Sequence, residues 1–350
     1  TPTRARVAEI AASVSSKERA LARYADMLAA IENEKLESEL LKDRHGILLA
    51  SGKSATREMA ALGRILGFLD ARNNEVFRIF IGPVLMWDLN CAIALEGWRL
   101  HAGKNVRAWL SALAEIEALS SLAGFAFDRP DHVYPELSSS PNVVATALAH
   151  PMIPAKKRIA NDLELDGPGR ALVITGSNMS GKSTLLRAVG TNAVLALAGA
   201  PACATKMSIG DVRVVTSMRV TDSLEEGVSH FYAELQKLKM VCDMARGERT
   251  VLFLLDEILH GTNTRERLIG ARAIVRELVK RGAMGAVSTH DLAIGDLETE
   301  LPGKVQNFHF EEQVVNDKMT FDYKLRTGVV QSSNALRLMK IVGLDIDVEV

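Results

Sequence analysis

The stretch Gly176-Ser177-Asn178-Met179-Ser180-Gly181-Lys182-Ser183 constrains this chain more than any other. It fits the pattern GxxxxGK[ST], and its flanks fit as well. Ala171–Thr175 (ALVIT) leads in as a short apolar strand, and Thr184-Leu185-Leu186-Arg187 leads out as the start of a helix. Glycines at 176 and 181 let the backbone curl until successive N–H groups face one point, and the helix N-terminus adds partial positive charge there. Such a loop cradles a polyphosphate. The expected binding residues are Gly176, Ser177, Asn178, Met179, Ser180, Gly181, Lys182, Ser183 and Thr184. Lys182 is suited to bridge β- and γ-phosphates, and the Ser183 hydroxyl to ligate Mg²⁺. Strand–loop–helix of this kind predicts an α/β P-loop NTPase domain.

Two further apolar runs support a parallel sheet. Val251–Leu255 (VLFLL) and Met284–Ser288 (MGAVS) are short and continuous, as strands covered on both faces are. Helical stretches such as Leu268 to Val279 lie between them, which gives a βαβ rhythm. The second strand ends in Asp256-Glu257. An acidic residue at that tip reaches the Mg²⁺ beside a P-loop, so Asp256 is the expected metal partner. Glu257 is placed to activate the attacking water as general base. The third strand runs into Thr289-His290-Asp291, where His290 can hydrogen-bond the γ-phosphate or the water. A guanine-reading NKxD element is missing from the P-loop's downstream segment, where Thr205-Lys206-Met207-Ser208 lacks the Asp, so ATP is preferred over GTP.

Before residue 130 the chain reads as helical. Met59, Leu62, Ile65, Leu66 and Leu69 recur at helical spacing between Ala55 and Asn73, as do Trp109, Leu113, Ile116, Leu119 and Leu122 between Lys104 and Phe127. Residues 17–44, charged with apolar interruptions, predict one long exposed helix. Val76–Leu95 is apolar, but Arg78, Asp88, Asn90 and Gly82-Pro83 interrupt it. A buried helical segment is the expectation there, without stable membrane insertion. Arg129-Pro130-Asp131 and Ser138-Ser139-Ser140-Pro141 punctuate the chain as a linker. A hairpin of Gln306–Glu311 with Met319–Leu325 is predicted around Asn316-Asp317. The expected domains are therefore 1–130 (all-α), 131–325 (α/β) and 326–350 (a short helical segment), which suits a chain of 350 residues. Lys and Arg number 42 against 43 Asp and Glu, so no basic field announces nucleic acid; DNA binding would need a local patch or sequence beyond this chain. Three scattered cysteines, Cys91, Cys203 and Cys242, fit a reducing cytoplasm. The chain opens at Thr1 rather than Met, as expected of a fragment or a processed product, and its charged start has no signal-peptide character.

Taken together, these residues resemble the ATPase domain of the MutS family of DNA mismatch-repair proteins. The family's TGPNMGGKST loop reads Thr175-Gly176-Ser177-Asn178-Met179-Ser180-Gly181-Lys182-Ser183-Thr184 here, with the distinctive Asn-Met pair. Its acidic block reads Asp256-Glu257-Ile258-Leu259-His260-Gly261-Thr262, and its STHD block Ser288-Thr289-His290-Asp291. Ala149-His150-Pro151 resembles its RHP motif, and Asn161-Asp162 its adenine-side Asn. The family signature reads Asp222-Ser223-Leu224-Glu225-Glu226-Gly227-Val228-Ser229-His230-Phe231-Tyr232-Ala233-Glu234. Ser177 stands for the family's Pro, Ser180 for a Gly, and Ile258-Leu259-His260 for Leu-Gly-Arg.

The resemblance implies an ABC-type ATPase with a mostly parallel sheet, preceded by an all-α lever domain. It implies ATP and Mg²⁺ as ligands and a homodimer in which Ser229 of one subunit meets the γ-phosphate held by the other. Taken alone, Ser229 is an ordinary helix N-cap. The implied activity is weak ATP hydrolysis that switches a DNA clamp, with double-stranded, mismatched or branched DNA as partner. A nucleotide-dependent assembly or membrane-associated switch that never binds DNA is the alternative, suggested by the near-zero charge and Val76–Leu95. A transporter ATPase is disfavoured because LSGGQ is missing.

Overall fold

The computed structural model describes residues 18–50, 52–70, 74, 76–218, 230–259, 262–315 and 318–330. The chain divides into two compact units, Thr1–Gly124 and Phe125–Val350.

In the first unit the main described elements are α-helices: α1 (Glu18–Glu32), α2 (Glu39–Leu49), α3 (Ala55–Asp70), α4 (Trp87–His101) and the start of α5 (Val106–Asp128). Leu28, Leu48, Met59, Trp109 and Leu113 form its core, and burying one such leucine contributes about 1.5–3 kcal/mol. Residues 17–44 are not one exposed helix. The chain breaks after Glu32 and restarts at Glu39, where Ser38 caps the new helix by accepting from the Leu41 N–H. The break lets both Leu28 and Leu48 turn fully inward. The stretch Val76–Leu95 is not a buried helix either. A five-residue π turn, Phe77–Ile81, closes with the Gly82 N–H on the Phe77 carbonyl, and α4 begins only at Trp87. Pro83 lacks an N–H for a helical ladder, and the apolar residues around it face outward, with Val84 80% exposed. Among the described residues one helix, Gly103–Asp128, is long and apolar enough to cross a membrane by length and composition alone.

The second unit is built on a six-stranded sheet in the order β10-β9-β4-β8-β7-β6. Its strands are β4 (Ala171–Thr175), β6 (Val212–Ser217), β7 (Thr250–Asp256), β8 (Met284–Thr289), β9 (Val305–Val315) and β10 (Lys318–Thr327). Strands β9, β4, β8, β7 and β6 run parallel, and β10 returns antiparallel to β9. Alternation sorts each strand between two cores. Leu172, Ile174, Leu252 and Leu254 pack on one face with α6 (Lys182–Leu197). Val173, Val251, Phe253 and Leu255 pack on the other with α7 (His230–Met244) and α8 (Thr264–Lys280). Register brings Asp256 opposite Ser288 and Thr175 opposite Thr289, so the C-terminal tips of β4, β7 and β8 share one edge. In open α/β sheets ligands sit outside that edge.

A second sheet, order β1-β5-β2-β3, was not foreseen: β1 (Glu136–Leu137), β2 (Asn142–Leu148), β3 (Asn161–Asp166) and β5 (Lys206–Ile209). Strand β3 alternates charged and apolar residues over only six positions, with Leu163 and Leu165 turned inward, a signal too short to read with assurance. The terminal hairpin is longer than expected and shifts register between Phe321 and Leu325. Its Asn316-Asp317 turn, the segment Asp222–Ser229, His260-Gly261 and residues 331–350 of the expected C-terminal segment lie outside the described residues.

Candidate active site

The loop between β4 and α6 follows from its residues. Gly176 has φ 144°, Met179 φ 68° and Gly181 φ 109°. A Cβ on Gly176 would lie 2.9 Å from the Phe310 carbonyl oxygen of β9, and one on Gly181 would lie 3.2 Å from the Tyr323 ring of β10. The hairpin therefore requires glycine at 176 and crowds any side chain at 181, in addition to the demand of the backbone angles at both positions.

Inside the loop, the Lys182 ammonium donates to the carbonyls of Gly176 (2.8 Å) and Ser177 (2.7 Å). It lies 3.6 Å from Glu257 Oε1. Lys182 is only 4% exposed, and burial holds its pKa below the ordinary lysine value, while Glu257 and Asp256 oppose the shift. Ser183 Oγ donates to Asp256 Oδ1 at 3.0 Å, and Ser288 Oγ donates to the same oxygen. The Glu257 N–H donates to the Ser288 carbonyl at 3.0 Å. His290 Nδ1 lies 3.8 Å from Glu257 Oε1. Thus Lys182, Ser183, Asp256, Glu257 and His290, nominated from three separate strands, meet at one edge.

Lys182, Ser183, Asp256 and Glu257 open onto a cavity of about 920 Å³, lined also by Asn178 to Gly181, Thr184, His150, Asn161 and Tyr323. The site can take an anionic ligand: buried Ser177 Oγ and Ser180 Oγ have no hydrogen-bond partner among the described residues, beside a buried ammonium. It also fits Mg²⁺, because Ser183 and Asp256 present two hard oxygens side by side. Among the described residues no group of three or more His, Cys, Asp and Glu gathers around a metal. An ion here would complete its shell with substrate and water oxygens, as Mg²⁺ commonly does.

Asn161 lines the cavity, but both ends of its amide are engaged. Nδ2 donates to the Tyr323 carbonyl at 3.0 Å and Oδ1 accepts from the Leu325 N–H at 2.7 Å, clamping the irregular turn of β10. His150 Nδ1 accepts from the Met152 N–H, and burial followed by Arg187 lowers its pKa, so the ring is neutral at pH 7. Ser229 lies outside the described residues. Sequence reasoning gave no role to Ser288, Phe310 or Tyr323. Only Ser288 left a signal, standing at a strand tip beside His290.

Comparison with known proteins matches residues 172–348, about half of the chain, to MutS domain V. The chain belongs to the MutS family. All three strand-tip motifs, Gly176–Thr184, Asp256-Glu257 and Ser288–His290, fall inside the matched MutS segment. The chain is 32% identical over 237 residues to the DNA mismatch repair protein MutS of Thermotoga maritima, covering 66% of this chain and 29% of that protein. It is 32% identical over 243 residues to MutS of Chlorobium phaeovibrioides (67% and 27%) and 31% identical over 248 residues to MutS of Chloroflexus aurantiacus (69% and 25%). The chain thus spans less than a third of the length of these MutS relatives.

Proposed function

We propose that this chain is the ATPase part of a MutS-type protein that couples ATP hydrolysis to DNA binding in mismatch repair or a related repair process. The observation that carries this reading is the convergence of Lys182, Ser183, Asp256 and Glu257 on one cavity at the C-terminal edge of a parallel sheet. In this reading Gly176–Thr184 wrap the polyphosphate, Lys182 pairs with the β- and γ-phosphates, and Asn161 borders the nucleoside end. Ser183 and Asp256 hold Mg²⁺. When bound, the ion neutralises charge that builds on the phosphate oxygens.

Lys182 and Glu257 lie 3.6 Å apart. A polyphosphate carries more negative charge than one carboxylate and competes for the ammonium. Glu257 is then released to take a proton from water as the water oxygen bonds to the γ-phosphorus. The bond from that phosphorus to the β–γ bridging oxygen breaks, leaving ADP and phosphate. His290, beside Glu257, is suited to sense the γ-phosphate. Ser229 would complete the site in trans in a homodimer, and closure and reopening of that dimer would switch a clamp on double-stranded DNA. A cytoplasmic location belongs to the same reading, in keeping with free thiols at Cys91, Cys203 and Cys242.

The test is ATP turnover by the purified chain. Glu257→Gln is expected to keep ATP binding and to lower kcat by about 10²–10⁴. Lys182→Ala is expected to abolish binding. Parental turnover in Glu257→Gln would remove Glu257 from this role. The exposed apolar run that includes Phe80 and Val84 supports a second reading, a nucleotide-dependent assembly or membrane-associated switch. DNA affinity that falls steeply with salt supports the first reading, and no DNA binding at low salt with or without ATP supports the second.

A further inference from the structure

Glu234 is a carboxylate where the pattern calls for hydrocarbon. It lies on α7, and the residues four and seven positions further on, Leu238 and Val241, are buried in the core against the sheet. Glu234 itself is only 5% exposed. A carboxylate survives in such a place where it is bonded. Its Oε1 accepts the backbone N–H of Leu259, and its Oε2 is buried with no hydrogen-bond partner among the described residues.

The Leu259 end of this contact lies directly after Asp256-Glu257. Backbone there is contorted: Glu257 has φ 49° and Leu259 φ 63°, the left-handed region that residues with side chains seldom adopt. Surrounding structure must hold two such residues so close together. Three contacts do so. The Glu257 N–H is tied to the Ser288 carbonyl, and the Leu259 N–H to Glu234. The Leu259 side chain fits where Gly270 has no Cβ, since one there would lie 2.6 Å from its Cδ1. Two of the three act on Leu259, and the Glu234 bond is the polar one.

We propose that Glu234 is a positioning residue. By accepting the Leu259 N–H it locks the turn that aims Glu257 into the cavity. This rests on the reading of Glu257 as general base and extends it to a residue on another element. The requirement is for an acceptor oxygen at that point, and an uncharged amide oxygen serves as well. Glu234 also borders the cavity, so a role as metal ligand or proton acceptor is the competing outcome.

The experiment compares Glu234→Met, which keeps volume in the apolar stripe, with Glu234→Gln, which keeps the acceptor, both in the full chain. ATP turnover, ATP affinity and hydrogen exchange at the Leu259 amide are measured. Glu234→Met should speed exchange at Leu259 at least about tenfold. It should lower kcat by about 100-fold, the scale of a small misplacement of a catalytic group, with Kd for ATP within about threefold of the parent. Glu234→Gln should restore slow exchange and bring kcat to within about threefold of the parent. Glu234→Asp keeps the charge but draws the oxygen back by one methylene, and should follow Glu234→Met. Parental kcat in the Met or Asp variant, unchanged exchange in Glu234→Met, or a Gln variant as slow as Met would each overturn the proposal. A parent chain without ATP turnover would overturn the reading of Glu257 instead, and Leu259 exchange would still decide the Glu234 contact.

Discussion

Asn192 is a polar residue in the middle of α6, fully buried, and Asn192→Leu probes what it holds together. Its Nδ2 donates to the Ala149 carbonyl at 2.9 Å and to the Ala188 carbonyl at 2.8 Å. Its Oδ1 accepts from the Cys203 N–H at 2.7 Å. The side chain thus fastens α6 to the segment that carries His150 and to the segment after Gly199. Leucine has the same branched shape and the same number of heavy atoms, so no large cavity opens. The loss is polar: the Ala149 carbonyl and the Cys203 N–H keep their burial and lose their partner. Each such group costs about 1–3 kcal/mol, while the Ala188 carbonyl already sits in a helical ladder. The sum is about 2–6 kcal/mol, and the added apolar contact of leucine offsets part of it. A net loss of about 3 kcal/mol is expected, which for a unit of this size lowers Tm by about 6–12 °C. Differential scanning calorimetry reads it directly. A fall of less than about 2 °C would show that water or repacking satisfies both groups and that this accounting is wrong.

Gly285→Ala is expected to prevent stable folding of the sheet, because its Cβ would lie 1.9 Å from the Phe253 carbonyl oxygen on the neighbouring strand; soluble expression with parental circular dichroism would refute this. Nucleotide affinity should fall on the alkaline side earlier than an ordinary lysine would dictate. Lys182 binds phosphate only when protonated, and burial depresses its pKa. Between that depressed value and the ordinary lysine value of about 10.4, binding must take up a proton, so affinity declines as pH rises. Titrating a non-hydrolysable ATP analogue against pH tests this, and a flat affinity up to about pH 10 would contradict it.

Local geometry was legible in the loop after β4 and at the tips of β7 and β8, where each motif is continuous in sequence. The loop Gly176–Ser183 announces its own curl, because glycine, lysine and serine at those spacings have few other uses between a strand and a helix. Strands β4, β7 and β8 were readable because burial on both faces leaves an unbroken apolar run. Where burial depends on distant partners, the reading failed. The break between α1 and α2 serves a core that also draws on α3, α4 and α5, and nothing local to residues 33–38 specifies that core. Exposure of Val84 and its neighbours is likewise decided by what packs nearby rather than by their own hydropathy.

By itself, then, the sequence determined the glycine-rich loop 176–183, the acidic strand tip, the His290 tip and the parallel α/β character, because each is a local pattern with one dominant physical use. Tertiary structure alone decided which atoms meet. Strand order β4-β8-β7 sets Ser288 against Asp256, on the same carboxylate oxygen that Ser183 reaches, and the hairpin from residues 305–327 presses Phe310 and Tyr323 onto the loop glycines. It also brings Glu234 under Leu259, across 25 residues of sequence. Such contacts depend on strand register and chain crossing, which are settled by the packing of the whole unit and leave no periodic trace in the residues they join.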